Sequence, residues 1–223
     1  SLLFKGQTNS SKTAYTAFND AGKTVTVVSA VPFAVGDHVV VVENLGFTQK
    51  VAVGKILSIA GLVLTVDGWA GVPAGINGIP TGGNDFVYAL TSATAAFGSI
   101  AAGSENTTTA LTSVRSSVPS GYTVYLHANQ LLQDASAHVI TTVLDGVVSI
   151  GNEEYGASNV GSLAINAGTD LGVTTTQRAI QSSSAPTGLV PDRVAQVYKL
   201  SVGGSTVAGN YGQTIYYTLT ANY

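Results

Sequence analysis

Apolar and polar residues alternate with a period of two along much of the chain. The clearest run lies at 207–223, a tight turn followed by a strand. There Thr214, Tyr216, Thr218 and Thr220 fall on one face and Ile215, Tyr217 and Leu219 on the other. β-Branched and aromatic residues at this period mark a strand with one buried face. A chain that closes on such a strand is expected to end inside a sheet. Residues 24–28 form another strand, and residues 38–42 (His-Val-Val-Val-Val) are apolar on both faces. A strand of that kind is buried on both sides. Residues 47–59 alternate well enough for one long or two short strands. Ala60-Gly61 turns the chain, residues 62–66 return antiparallel, and Asp67-Gly68 ends the run. Short strands with tight turns over 23–69 predict a small closed barrel or a curled sheet.

Residues 70–85 are rich in Gly and Pro and read as a linker or boundary, or equally as a loop inserted in the barrel and anchored by Trp69 and Ile76. Beyond it, strands are expected at 95–100, 107–114, 122–126, 139–144, 147–150, 162–165 and 194–202, ahead of the terminal strand. Seven or more short strands at this spacing predict a sandwich. Helix signals are weak: 89–97 has alanines but also Thr and Ser, and 178–184 has room for one helical turn. The expected fold class is therefore all-β, a small barrel-like N-terminal module plus an antiparallel β-sandwich. The expected division is 1–22 as an N-terminal arm and first strand, 23–85 as the barrel-like module with its linker, and 86–223 as the sandwich.

Two stretches carry family resemblances. Residues 31–41 (Val-Pro-Phe-Ala-Val-Gly-Asp-His-Val-Val-Val) and 56–66 (Ile-Leu-Ser-Ile-Ala-Gly-Leu-Val-Leu-Thr-Val) resemble a "VGD" β-module found in bacterial surface proteins and phage fibre proteins. The second rests on Phe97-Gly98, residues 104–111, Pro119-Ser-Gly-Tyr-Thr-Val, Glu153-Glu-Tyr-Gly, and Ala208-Gly-Asn-Tyr-Gly-Gln-Thr-Ile-Tyr-Tyr-Thr-Leu-Thr. In that order these are similar to secreted pilin-like β-sandwich surface proteins of bacteria, over roughly 86–223. The chain departs from the pattern at 115–118, where such proteins carry Thr-Asn-Ala, and at Asn210, where Thr is common. The resemblances imply an Ig-like or pilin-like sandwich used in assembly and bring no catalytic residues.

Composition sharpens this picture. Of 223 residues only 9% are charged and 45% are hydrophobic, where soluble domains carry about 25% charge. A neutral surface rich in Ser, Thr, Gly and Asn is poorly protected by repulsion and favours self-association. The net charge of −3 leaves no basic face, which argues against nucleic acid. There is no Cys, hence no disulfide, thiolate ligand or Cys nucleophile, and no Met, even at position 1. Loss of a secretory signal peptide is the simplest account of that start, and it predicts an extracellular, cell-surface location. No apolar run is long enough to span a bilayer as a helix.

Candidate chemistry is sparse. His38, His127 and His138 show no metal-binding spacing. Asp20, Asp37, Asp67, Asp85 and Asp145 sit in turns, where aspartates bond their own backbone. Glu153-Glu154 near Asp145 or Asp170 is the one arrangement that suggests a structural Ca²⁺; no other cofactor is indicated. No nucleophile elbow or P-loop is present, so an enzyme is the least supported class. The strand pattern sets Lys199 and Asn222 on neighbouring strands, as an intramolecular isopeptide bond requires. Asn9-Ser-Ser and Asn106-Thr-Thr match the N-glycosylation pattern.

The N-terminus carries the expected function. Apolar Leu2, Leu3 and Phe4 precede a polar, flexible stretch at 6–12 and a strand at 13–18. Such an arm adds a strand to the open edge of another copy, by donor-strand complementation, or pairs within its own subunit. The leading expectation is a self-assembling subunit of an extracellular filament or pilus, its partner being itself. A surface adhesin or carbohydrate-binding module, with ten tyrosines and Trp69 to stack on glycans, is the alternative. A phage or virion fibre subunit is third.

Overall fold

A computed structural model describes all 223 residues. Its strands are β1 (Leu2–Asn19), β2 (Thr24–Val27), β3 (His38–Glu43), β4 (Lys50–Ala60), β5 (Val63–Val66), β6 (Ala70–Gly71), β7 (Phe86–Ser92), β8 (Glu105–Val114), β9 (Tyr122–Ala128), β10 (Glu154–Val160), β11 (Arg178–Ser183), β12 (Asp192–Ser201) and β13 (Ile215–Ala221). All strand pairs are antiparallel. The fold is all-β, as the period-two pattern predicts.

Six strands close on themselves. The order β1–β2–β5–β4–β3–β7 returns to β1 through a second pairing of that strand, so the N-terminal module is a closed barrel. Closure removes the exposed edges that an open sheet of this size would carry. The barrel interior is filled by Tyr15, Phe18, Val25, Val39, Val41, Ile56, Leu64 and Val87, with Trp69 packed on Phe18 at 5.1 Å.

The C-terminal unit is a sandwich. One sheet runs β10–β12–β8 and ends on the first residues of β1; the other runs β11–β9–β13. Tyr122, Val124, Ile140, Tyr155, Tyr198 and Leu200 form the core between them. The opposite face of β8 and β12 contributes Leu111, Ala195 and Val197 to a third apolar layer, against Val40, Val42, Val51 and Val53 of the barrel wall. Alternation explains how one strand serves two layers: odd positions of β3 point into the barrel, and even positions point into this seam. Every residue of β3 is buried, as its unbroken apolar run predicts.

Several expectations change. Segment 70–85 is part of the barrel. Ile76 enters its core, Phe18 N–H donates to Gly78 O at 2.8 Å, and Lys50 reaches Gly75 O at 2.8 Å. Buried Glu43 accepts from Asn77, and buried Asp85 accepts from Asn44 N–H at 2.8 Å. β7, expected in the second unit, is hydrogen-bonded to β3 and β1 and is a barrel stave. Residues 139–144, 147–150 and 162–165 are not strands, and 129–153 makes isolated bridges only. Ile140 and Val143 are nonetheless buried, and Ile140 packs into the sandwich core without its stretch joining a ladder. Residues 178–183, with room for a helical turn in the sequence reading, are β11. The terminal strand β13 lies at a sheet edge, bonded to β9 alone.

Candidate functional site: an open corner of the sandwich

β1 belongs to both modules. Leu2–Gly6 pairs with β8, from Leu2 opposite Val114 to Gly6 opposite Ala110. At Gly6 the strand changes partner to β7, and its register breaks between Gly6 and Gln7 and again between Thr8 and Thr13. From Tyr15 onward it pairs with β2. The polar stretch expected to be flexible is thus the irregular crossing between modules.

The structure places the three candidate assembly residues on this terminal segment, against their own β8. Leu2 and Phe4 point into the sandwich, and the Phe4 ring packs on Tyr217 at 4.9 Å. Leu3 faces the other way and is 39% exposed. Residues 2–5 have no strand on their far edge, and β13 has none on its own. Both sheets are therefore open near the same corner.

Segment 93–100 covers that corner. Ala95, Phe97 and Ile100 turn inward onto the core, while Ala96, Gly98 and Ser99 face solvent. No backbone–backbone hydrogen bond ties 93–100 to a strand. Its ties involve side chains: Asn9 Nδ2 donates to Ala96 O at 3.1 Å, Asn106 Nδ2 donates to Phe97 O at 2.6 Å, and Thr94 N–H donates to Ser92 Oγ at 2.9 Å. The asparagines of both glycosylation patterns hold this strap down.

Beneath the strap lies a cleft of about 980 Å³, lined mostly by apolar side chains. A run of aromatic rings forms its floor and meets Phe97 of the strap. Phe4 meets Tyr217, whose hydroxyl bonds that of Tyr198; Tyr198 stacks beside Tyr155 at 6.4 Å, and Phe97 meets Tyr155 edge-on at 6.1 Å. Gln213 Nε2 donates to Tyr155 Oη at 2.8 Å. Burial drives the hydroxyl pKa values of Tyr155, Tyr198 and Tyr217 above the ordinary tyrosine value, so all three stay neutral.

The remaining candidates are dispersed. His38 lies on β3, His127 stacks on Tyr216 at 5.1 Å on the outer face of β9 and β13, and His138 bonds Asp134 at 2.8 Å. No three His, Asp or Glu side chains gather in a metal-holding group. Glu154 accepts from Ser149 N–H and Asp145 from Val147 N–H, while Asp170 accepts from Val148 N–H and Lys199. Lys199 and Asn222 are not neighbours. Lys199 on β12 is 2.8 Å from Asp170, and Asn222, just beyond β13 in the other sheet, bonds Ser183 and Thr123. Trp69 is half-buried, its ring packed on Phe18 at the barrel core. No helix is long and apolar enough to cross a membrane.

No protein-family model, curated protein or solved structure matches the chain. The strap and the cleft were not legible in the sequence. Their one signal was the inward alternation of Ala95 and Phe97, which reads as an ordinary strand.

Proposed function

We propose that the protein is a structural subunit of an extracellular, self-assembling filament, joined by strand addition between copies. The carrying observation is that Leu2–Gly6 completes the sandwich, while the rest of its strand belongs to the barrel and the register between them is broken. Such a segment leaves one β8 and pairs identically with the β8 of another copy, through the same backbone bonds and the same seat for Phe4. Exchange of an identical element is a low-cost route to assembly. An uncharged surface, at 9% charged residues, does not oppose it.

The absence of Cys makes a clean test possible. Leu3 and Ser113 face each other across β1 and β8, and neither belongs to an apolar core cluster. In a Leu3→Cys/Ser113→Cys variant, oxidation after assembly is expected to give a reducible ladder of cross-linked multimers. Oxidation before assembly is expected to lock monomers and abolish fibres in negative stain. Fibres that dissolve in denaturant to internally cross-linked monomers sink strand addition; no fibres from the reduced protein under any condition sinks the filament.

A surface glycan-binding module is the second reading. It is favoured by the Tyr216–His127 stack on the outer face of the three-stranded sheet, with Tyr125 on the same strand as His127. Specific glycan-array binding by a monomer, lost in Tyr216→Ala, separates it from the first.

A further inference from the structure

We infer that the cleft under the strap is a binding site for a small, uncharged, largely apolar molecule carrying a hydroxyl group, of the phenol or fatty-alcohol class. Its volume of about 980 Å³ is at the upper end of ordinary small-molecule sites, about 300–1,000 Å³. No Asp, Glu, Lys, Arg or His lines it, so neither an anion nor a cation finds a counter-charge there. Four aromatic rings along the floor, with Phe97 of the strap above them, suit a flat or extended apolar body.

The polar atoms select the hydroxyl. The Tyr198 and Tyr217 hydroxyls satisfy each other. Gln213 and Tyr155 do not complete one another. Gln213 Nε2 donates to Tyr155 Oη, Gln213 Oε1 is shielded from solvent with no partner, and the Tyr155 O–H has no acceptor. Both residues line the cleft, and Gln213 Oε1 lies sealed behind its surface while the strap is closed. A buried polar atom of this kind demands a partner. A ligand hydroxyl meets both demands at once, donating to Gln213 Oε1 and accepting from Tyr155. A ketone meets one and an alkane neither. The strap supplies the way in, because residues 93–100 can lift without breaking any strand ladder. The site stands independently of filament formation, since Phe4 walls it whichever copy supplies that ring.

The test is fluorescence titration of the full chain with 1-naphthol, with naphthalene and 1-naphthoate as controls. Saturable binding of 1-naphthol is expected, with naphthalene about tenfold weaker, the factor for one net hydrogen bond. Gln213→Leu and Tyr155→Phe are expected to bring 1-naphthol to the naphthalene level and leave naphthalene unchanged. Ala95→Trp, which places an indole inside the cleft, is expected to weaken binding of both at an unchanged melting temperature. Failure of 1-naphthol to saturate at millimolar concentration means the cleft holds only water and overturns the proposal. Equal affinity for 1-naphthol and 1-naphthoate, or indifference to Gln213→Leu, overturns it as well. If Ala95→Trp does not fold, the Gln213 and Tyr155 variants alone decide.

Discussion

Arg193 and Asp67 form a two-pronged ion pair across the seam between sandwich and barrel, with Nη1–Oδ1 at 2.7 Å and Nη2–Oδ2 at 2.6 Å. Arg193 sits on β12, and Asp67 follows β5 and also accepts from Lys55 N–H at 3.2 Å. Burial acts to raise the Asp67 pKa, but the hydrogen bonds and charge of Arg193 outweigh it and hold the carboxyl below its ordinary value. The guanidinium is 2% exposed, so its charge has no other means of compensation. The apolar seam alone is non-directional; the fork geometry of the pair gives it an orientation.

Asp67→Ala should therefore be among the most damaging substitutions in the chain. It leaves a buried guanidinium uncompensated, at about 3–5 kcal/mol. Adding Arg193→Met should recover much of that loss, because an apolar pair suits the seam. Urea unfolding of the single and double variants checks this. A double variant no more stable than Asp67→Ala would show that the pair's charge is not the cause.

His38 gives the seam a pH dependence. Burial lowers its pKa most, Arg193 and Lys55 lower it further, Asp67 opposes and Lys5 adds slightly; the result is about 4, against 6.5 for a free histidine. Between those values the unfolded chain binds a proton that the native ring refuses. Stability is thus fully present above about pH 6.5 and falls as pH drops toward 4. The loss is on the order of 2 kcal/mol, the full shift being diluted by solvent at the ring edge. His38→Gln should flatten the stability profile across this window. Asp67 acts lower: its depressed pKa contributes stability above the free carboxyl value of 3.8, lost as pH falls through its own. An unchanged slope in His38→Gln would assign the dependence elsewhere.

A buried hydrogen-bond chain ties the two sheets of the sandwich. Gln196 donates to Thr112, Thr112 to Gln181, Gln181 to Tyr122, and Tyr122 to Asp192, at 2.8–3.1 Å. Gln181, Gln196 and Tyr122 are fully buried. Tyr122→Phe removes one hydroxyl, deprives Asp192 Oδ2 of its donor and weakens the hold on Gln181. The expected loss is about 1–3 kcal/mol. Tyr216→Phe, at an exposed tyrosine with no hydrogen bond, should fall within about 0.5 kcal/mol of the parent. Equal effects at the two positions would deny the network its role.

Much of the fold was legible because strand burial writes itself into period two. The Val39–Val42 run announced burial on both faces, and 194–202 and 214–220 showed their alternation. What stayed hidden depends on polar groups whose partners are remote in sequence. The Gly/Pro-rich 70–85 loop is locked to the barrel by Glu43 and Asp85, which look like surface carboxylates. β11 hid behind Gln181, a polar residue buried by hydrogen bonding rather than by apolar character. Ile140 and Val143 misled in the other direction, since an apolar run records burial and not ladder pairing. The cleft depends on Gln213 and Tyr155, 58 residues apart, a juxtaposition that no local pattern announces.

Gly6 is where these features meet. A Cβ there would lie 2.1 Å from Thr94 O and 2.7 Å from its carbonyl carbon, both backbone atoms. Gly6→Ala must therefore displace either the strap or the terminal segment of β1. The segment is held to β8 by a backbone ladder from Leu2 to Gly6, and the strap only by bonds that involve side chains, from Asn9, Asn106 and Ser92. The strap is the weaker of the two and should yield. The variant is expected to lose about 1–3 kcal/mol, as overpacked sites do, and to be cut faster by protease within 93–104. Backbone amides of Ala110–Val114 should keep their hydrogen-exchange protection. Loss of protection at those amides with an uncut strap would show instead that the terminal segment moves first. Gly6→Ala would then release the strand proposed to pass between copies and should hasten assembly.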